Sequence, residues 1–266
     1  MRITALMENT AVAPKFRCDA ALSLYIETEK HKILFDAGGD DGFADNASEL
    51  GIDLSQVDIA FLSHGHSDHS NGLMKFFELN DHVSVYAHVG YELPHFSTAG
   101  GFIGVSEKLH DNPRIIPVSE DRIELGDGIT ILDFSKEKCL HEIENWGMAE
   151  ERGGVRVPEV YSHEQYMIVR EGNVNLLLTG CCHKGIGNVM YWARNEHITH
   201  VVGGFHLKPI QKRDFDSLLL PIACELLKYP VYYWTCHCTG EEQYEYLRAL
   251  MGGRINYLSS GATVEI

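Results

Sequence analysis

Residues 58–72 read Asp58-Ile59-Ala60-Phe61-Leu62-Ser63-His64-Gly65-His66-Ser67-Asp68-His69-Ser70-Asn71-Gly72, an apolar run that opens into a loop crowded with histidine and aspartate. Four metal-competent side chains, His64, His66, Asp68 and His69, fall within six residues. Imidazole and carboxylate suit zinc and related borderline ions. Side chains alternate along an extended segment, so His64, His66 and Asp68 start toward one face. A turn into helix near Asp68 and His69 separates those two toward a second ion. Gly65 lets the backbone turn tightly beside the ions. A polar turn whose histidines cap the next helix would explain one histidine, but not four ligands at alternating spacing.

Around this stretch, short alternating or apolar runs at 2–7, 22–28, 31–35, 59–63 and 83–87 predict strands. Only Glu29 and Lys30 separate the second and third, which fits a tight hairpin. Helices are predicted at 42–50, 70–78, 185–195, 214–228 and 240–251, and further strands at 174–179, 200–202, 231–235 and 255–258. No Pro- or Ser-rich linker divides the halves. The pattern implies two sheets packed face to face with helices outside, in a single domain spanning 1–266. Segment 135–164 departs from it, with many charges, Gly153-Gly154 and little periodicity, as expected of a surface insertion or lid.

Charge narrows the partners. Subtracting 38 acidic from 22 basic residues leaves −16, with no basic cluster to offset it, so phosphate-rich polymers are repelled and a small-molecule substrate is expected rather than nucleic acid. No apolar stretch reaches the roughly 18 residues of a membrane span, and the first residues lack the pattern of a secretory signal. Seven cysteines leave one unpaired under full oxidation. These observations together predict a reducing, cytoplasmic setting without membrane association. Cys181-Cys182 and the Cys236/Cys238 pair lack Cys-x-x-Cys spacing and read as core packing.

The order His64-x-His66-x-Asp68-His69 after a hydrophobic strand resembles the signature of the metallo-β-lactamase superfamily. Asp36 in Leu34-Phe35-Asp36-Ala37-Gly38 looks like that family's strand-end aspartate, which orients the metal loop. Leu178-Thr179-Gly180-Cys181-Cys182-His183 and Thr235-Cys236-His237-Cys238-Thr239-Gly240 resemble the strands delivering the later ligands. The resemblance covers essentially the whole chain. It implies an α/β (α+β) fold, a four-layer αββα sandwich, with one metal held by His64, His66 and His183 and a second by Asp68, His69 and His237. Many relatives place a bridging Asp after His183, whereas this chain has Gly203-Gly204-Phe205-His206-Leu207. The Gly-Gly-Phe-His-Leu, Gly-Cys-Cys-His-Lys and His-Cys-Thr-Gly runs look like the subgroup named after a synthase that joins a dihydropterin to a ribofuranosyl-aminobenzene phosphate. Ala20 and Ala21 replace a His-Gly expected there.

The resemblance implies a hydrolase using water activated by one or two divalent ions, zinc first, with iron or manganese as alternatives. Its substrate is a small ester, phosphoester or similar compound, anionic ones included. Asp68 and His206 are the catalytic candidates, and Lys184 and His163 are candidates for substrate contact. Transfer from a dihydropterin pyrophosphate and a non-catalytic metal-binding module are the rivals. A di-iron redox site is disfavoured, because di-iron relatives place Glu where this chain has His66. The remaining histidines, His95 among them, lie outside any matching motif and read as core or surface residues.

Overall fold

Runs rich in Ile, Leu, Val, Phe and Tyr pair as strands because their side chains pack on a pleated, buried face. The computed structural model describes residues 1–266. In chain order the strands are β1 (Arg2–Met7), β2 (Ser23–Glu27), β3 (Lys32–Phe35), β4 (Ile59–Leu62), β5 (Val85–His88), β6 (His95–Phe96), β7 (Ile115–Val118), β8 (Arg122–Gly126) and β9 (Ile129–Leu132). There follow β10 (Ala149–Arg152), β11 (Val155–Pro158), β12 (Tyr166–Glu171), β13 (Val174–Leu178), β14 (His200–Gly203), β15 (Tyr232–Thr235), β16 (Ile255–Tyr257) and β17 (Thr263–Glu265). The helices are α1 (Gly42–Glu49), α2 (Ser67–Ser70), α3 (Leu73–Leu79), α4 (Ile186–Trp192), α5 (Phe215–Leu226) and α6 (Glu241–Met251). No helix is long and apolar enough to cross a membrane.

The chain divides into two compact units. The first comprises Met1–Glu120, Asn145–Gln165 and Ser259–Ile266. Its large sheet runs β17-β1-β2-β3-β4-β5-β7. The first pairings are antiparallel, and from β3 to β7 all strands are parallel. The hairpin between β2 and β3 forms where the sequence predicts it, with Thr28 N–H donating to the His31 carbonyl at 2.9 Å. Leu34, Ala60, Leu62 and Val85 meet Phe43, Ala47, Leu73 and Phe76 in a core with essentially no solvent exposure. Burying each Leu, Val or Phe side chain contributes about 1.5–3 kcal/mol, which holds the strand ends in register. A smaller sheet orders β11-β10-β6.

The second unit comprises Asp121–Glu144 and Tyr166–Leu258. Its sheet runs β16-β15-β14-β13-β12-β9-β8, parallel from β13 to β16 and antiparallel elsewhere. Helices α4, α5 and α6 connect those four parallel strands in turn. Such connections are what parallel pairing requires.

Segment 135–164 is partitioned, its residues to Glu144 counted with the second unit and those from Asn145 with the first. It contains the hairpin of β10 and β11, in which Arg152 and Val155 pair across Gly153-Gly154. Ala149-Glu150-Glu151-Arg152 has the composition of a helix. Pairing with β6 and β11 overrides that local preference.

Candidate metal centre

In the first unit, Asp36 and Ser63 stand one residue beyond the carboxyl ends of the adjacent parallel strands β3 and β4. This edge is where an open α/β sheet leaves room for ligands. Asp36 is fully buried in a left-handed conformation, φ 58°. It accepts the Ser63 backbone N–H at 2.7 Å and the Ser63 hydroxyl at 2.7 Å. Its Oδ2 lies 2.7 Å from Nδ1 of His69. A carboxylate only accepts, so the hydroxyl and the imidazole both donate to it. With its hydrogen committed to Asp36, the Ser63 oxygen accepts from Nδ1 of His64 at 2.8 Å. These partners assign the protons of His64 and His69 to Nδ1, and leave a lone pair on each Nε2.

His66 is fixed by a different carboxylate. Its Nε2 donates to Oε1 of the buried Glu159 at 2.8 Å, so its lone pair is on Nδ1. Burial pushes the Glu159 carboxyl up, but N–H groups from His163, His66 and His95 outweigh it and hold the group far below the usual carboxylate range. Nδ1 of His66 stands 3.1 Å from Nε2 of His64. With both rings neutral these atoms set two lone pairs face to face, and a cation in front of both converts that repulsion into chelation. Nε2 of His69 and Oδ2 of Asp68, 3.7 Å apart, form a second acceptor pair. The donor set of this unit therefore fits a divalent metal. Between the two motif histidines, a Cβ on Gly65 would fall 2.2 Å from the Tyr91 carbonyl oxygen. Close backbone approach is what requires glycine there.

In the second unit His183, His206 and His237 follow the parallel strands β13, β14 and β15. Cys182, His206 and His237 are left-handed at φ 60°, 49° and 53°, a conformation uncommon in any residue but glycine. Hydrogen bonds from backbone N–H groups stitch the loops together. Gly204 N–H donates to the Gly180 carbonyl at 2.7 Å, Phe205 N–H to Thr239 Oγ1 at 2.9 Å, and Lys208 N–H to the Cys238 carbonyl at 3.0 Å. Gly203, at φ 141°, passes so near Thr179 that a Cβ would lie 2.4 Å from its Oγ1. The rings of His183 and His206 stand 4.1 Å apart, centroid to centroid. Donor atoms of Cys181, His183 and His206 lie within 4.8 Å of one another.

Within the first unit His64, His66, Asp68 and His69 are thus neighbours, as are His183 and His206 within the second. His237 is buried at the third loop of that unit. Lys184 is buried, its Nζ 3.5 Å from Oδ1 of Asp133 and 5.9 Å from the centre of the Tyr166 ring. His163 is buried too, Nδ1 accepting from Gly65 N–H at 2.8 Å and Nε2 standing 3.0 Å from Glu159 Oε1. Sequence reasoning missed Ser63, Glu159 and His95, and gave Cys181 a packing role. Ser63 adjoins the motif, and its place beside a histidine was the available signal. Glu159 is 93 residues from His66, and no spacing rule joins them.

The family model described as the metallo-beta-lactamase superfamily matches residues 17–199. A Methanocaldococcus jannaschii protein, MJ0448, is 28% identical over 244 residues and aligns over 90% of each chain. From the same organism, 7,8-dihydropterin-6-methyl-4-(beta-D-ribofuranosyl)-aminobenzene-5'-phosphate synthase is 28% identical over 249 residues, 82% of this chain and 80% of that one. Among solved structures, Tm1679, described as a metal-dependent hydrolase of the beta-lactamase superfamily, is 26% identical with a TM-score of 0.82, covering 100% of this chain and 99% of that one. The mixed α/β architecture, with several sheets and helices, matches these neighbours.

Proposed function

The chain belongs to the metallo-β-lactamase superfamily, and from that premise we propose that it hydrolyses a small ester, phosphoester or related substrate with the help of divalent metal. Members of this superfamily are mostly metal-dependent hydrolases and typically bind divalent metals. The observation that carries the reading is the 3.1 Å approach of His64 Nε2 and His66 Nδ1, the two nitrogens that carry lone pairs when both rings are neutral and bonded to the groups behind them. We assign His64, His66 and His183 to one ion, and Asp68, His69 and His237 to a second. Zinc is the ion that this imidazole-rich set favours. When bound, such ions supply Lewis acidity toward a carbonyl or phosphoryl oxygen and lower the pKa of water toward roughly 7.

The chain's own residues perform the remaining work. Asp68 is half-buried, and its carboxylate accepts a hydrogen bond from the attacking water and orients it. His206, half-buried on the loop after β14, is the group assigned to protonate the leaving atom. The net charge of −16 disfavours polyanionic substrates and supports a small one.

Metal analysis of the purified protein and of a His66→Ala/His183→Ala double variant, with an ester, thioester, lactam and phosphodiester panel, tests the reading. The parent is expected to hold one or two divalent ions and to cleave a member of the panel. The double variant is expected to lose both properties, and turnover that survives in it defeats the assignment. The 28% identity to the aminobenzene phosphate synthase favours a second reading, transfer from a dihydropterin pyrophosphate to a ribofuranosyl-aminobenzene phosphate. Incubation with those two compounds decides it, since absence of coupled product removes the transferase.

A further inference from the structure

Three imidazole nitrogens of the first unit converge on one oxygen. Oε1 of Glu159 lies 2.8 Å from His66 Nε2, 3.0 Å from His163 Nε2 and 3.1 Å from His95 Nδ1. All four side chains are buried. The small sheet builds the cluster: β10 pairs with β6, which carries His95, and with β11, which Glu159 follows directly.

Three histidines and a carboxylate, with donor atoms within 4.8 Å, also have the composition of a metal site. Proton bookkeeping argues against one. Gly65 N–H donates to Nδ1 of His163 at 2.8 Å, so the proton of that neutral ring is on Nε2, pointing at Glu159. His66 likewise presents Nε2–H to Glu159 and keeps its lone pair on Nδ1. A cation held by Nε2 of His163 would need that ring stripped to an imidazolate anion while Nδ1 still accepts from Gly65, and one held by Nε2 of His66 would force Nδ1–H toward His64 and remove that nitrogen from the motif pair. Two N–H donors on one carboxylate oxygen, with the His95 ring close by at 3.1 Å, need nothing of the kind.

We propose that Glu159 is a positioning residue of the metal centre. It fixes the tautomer and tilt of His66, and through His163 it holds the Gly65 backbone between His64 and His66. This role rests on His64 and His66 binding metal, as proposed above. One carboxylate therefore governs both a ligand ring and the turn that spaces it from the next. Ligand histidines whose distal N–H is held by a carboxylate are better oriented and more basic, and loss of such a partner lowers metal affinity roughly 10–100-fold.

The test combines two measurements. Nitrogen-15 NMR of histidine-labelled, metal-free parent protein reads the tautomers directly, and His66 and His163 are both expected as Nε2–H. An Nδ1–H form of either overturns the proposal whether or not any variant folds. Competition of Zn²⁺ and Co²⁺ against a chelating dye then compares the parent with Glu159→Gln. The variant is expected to bind the same number of ions about 10–100-fold more weakly, with altered Co²⁺ absorption bands. Unchanged affinity and spectrum in a variant of lowered stability would show a merely structural role and overturn the proposal. Loss of one whole ion per chain would place a metal on Glu159 and overturn it as well. A parent that takes up no ion defeats the underlying metal reading along with it, and is told apart from those outcomes by the parent's own titration.

Discussion

In the first unit the histidines are oriented by side chains standing behind them, Asp36 through Ser63 and directly, and Glu159. In the second, His206 and His237 are oriented by the path of the main chain, each left-handed beyond the end of a parallel strand, with neighbouring loops tied by backbone N–H groups to carbonyls and to the Thr239 hydroxyl. The two solutions fail differently. A hydrogen-bonded hub concentrates the cost in one residue, because removing it leaves several buried donors unmet. A shaped backbone spreads the cost, and its sensitive positions are those where no Cβ fits.

The largest expected effect is therefore Asp36→Ala, which strands the Ser63 N–H, the Ser63 hydroxyl and His69 N–H in a fully buried place. A loss of about 3–5 kcal/mol in urea unfolding of metal-free protein is expected. A change under about 1 kcal/mol would show that the hub is not a hub. Next comes Gly203→Ala in the second unit, where a Cβ meets Thr179 Oγ1 at 2.4 Å. About 2–3 kcal/mol is expected from overpacking and the positive φ, and a thermal melt like the parent's would show that the loop yields. Ser63→Ala removes only the relay between Asp36 and His64. It should cost about 1–2 kcal/mol and weaken metal binding roughly 10-fold by calorimetry, and unchanged affinity would mean His64 needs no partner on Nδ1.

The smallest stability effect is expected at His206. Glycine there relieves the left-handed strain of φ 49° and adds chain entropy to the unfolded state, so His206→Gly should stay within about 1 kcal/mol of the parent. Its turnover should nonetheless fall on the order of 100-fold if the ring donates a proton. Stability and activity falling together would instead mark the ring as a packing element.

The same contrast explains what the sequence disclosed. The candidate ligands His64, His66, Asp68 and His69 were legible as a cluster because they fall within six consecutive positions after an apolar strand. His183 and His237 became candidates only through resemblance, since the Thr179-Gly180 and Thr239-Gly240 turns around them have no local periodicity of their own. Strands such as β1 and the helices from α4 to α6 fall within a few residues of the hydrophobic pattern. Glu159 and His95 were invisible, because their meeting depends on a hairpin whose first strand has helical composition, and nothing local announces its pairing with β6.

Asp36 serves His69 directly and His64 by way of Ser63, although those two rings are assigned to different ions. On the proposed two-ion assignment this one carboxylate is shared, so filling either position would change the electrostatic free energy of filling the other. Loading of the two proposed positions would then be a linked equilibrium, reciprocal by thermodynamic necessity, with a binding isotherm that departs from that of two independent sites.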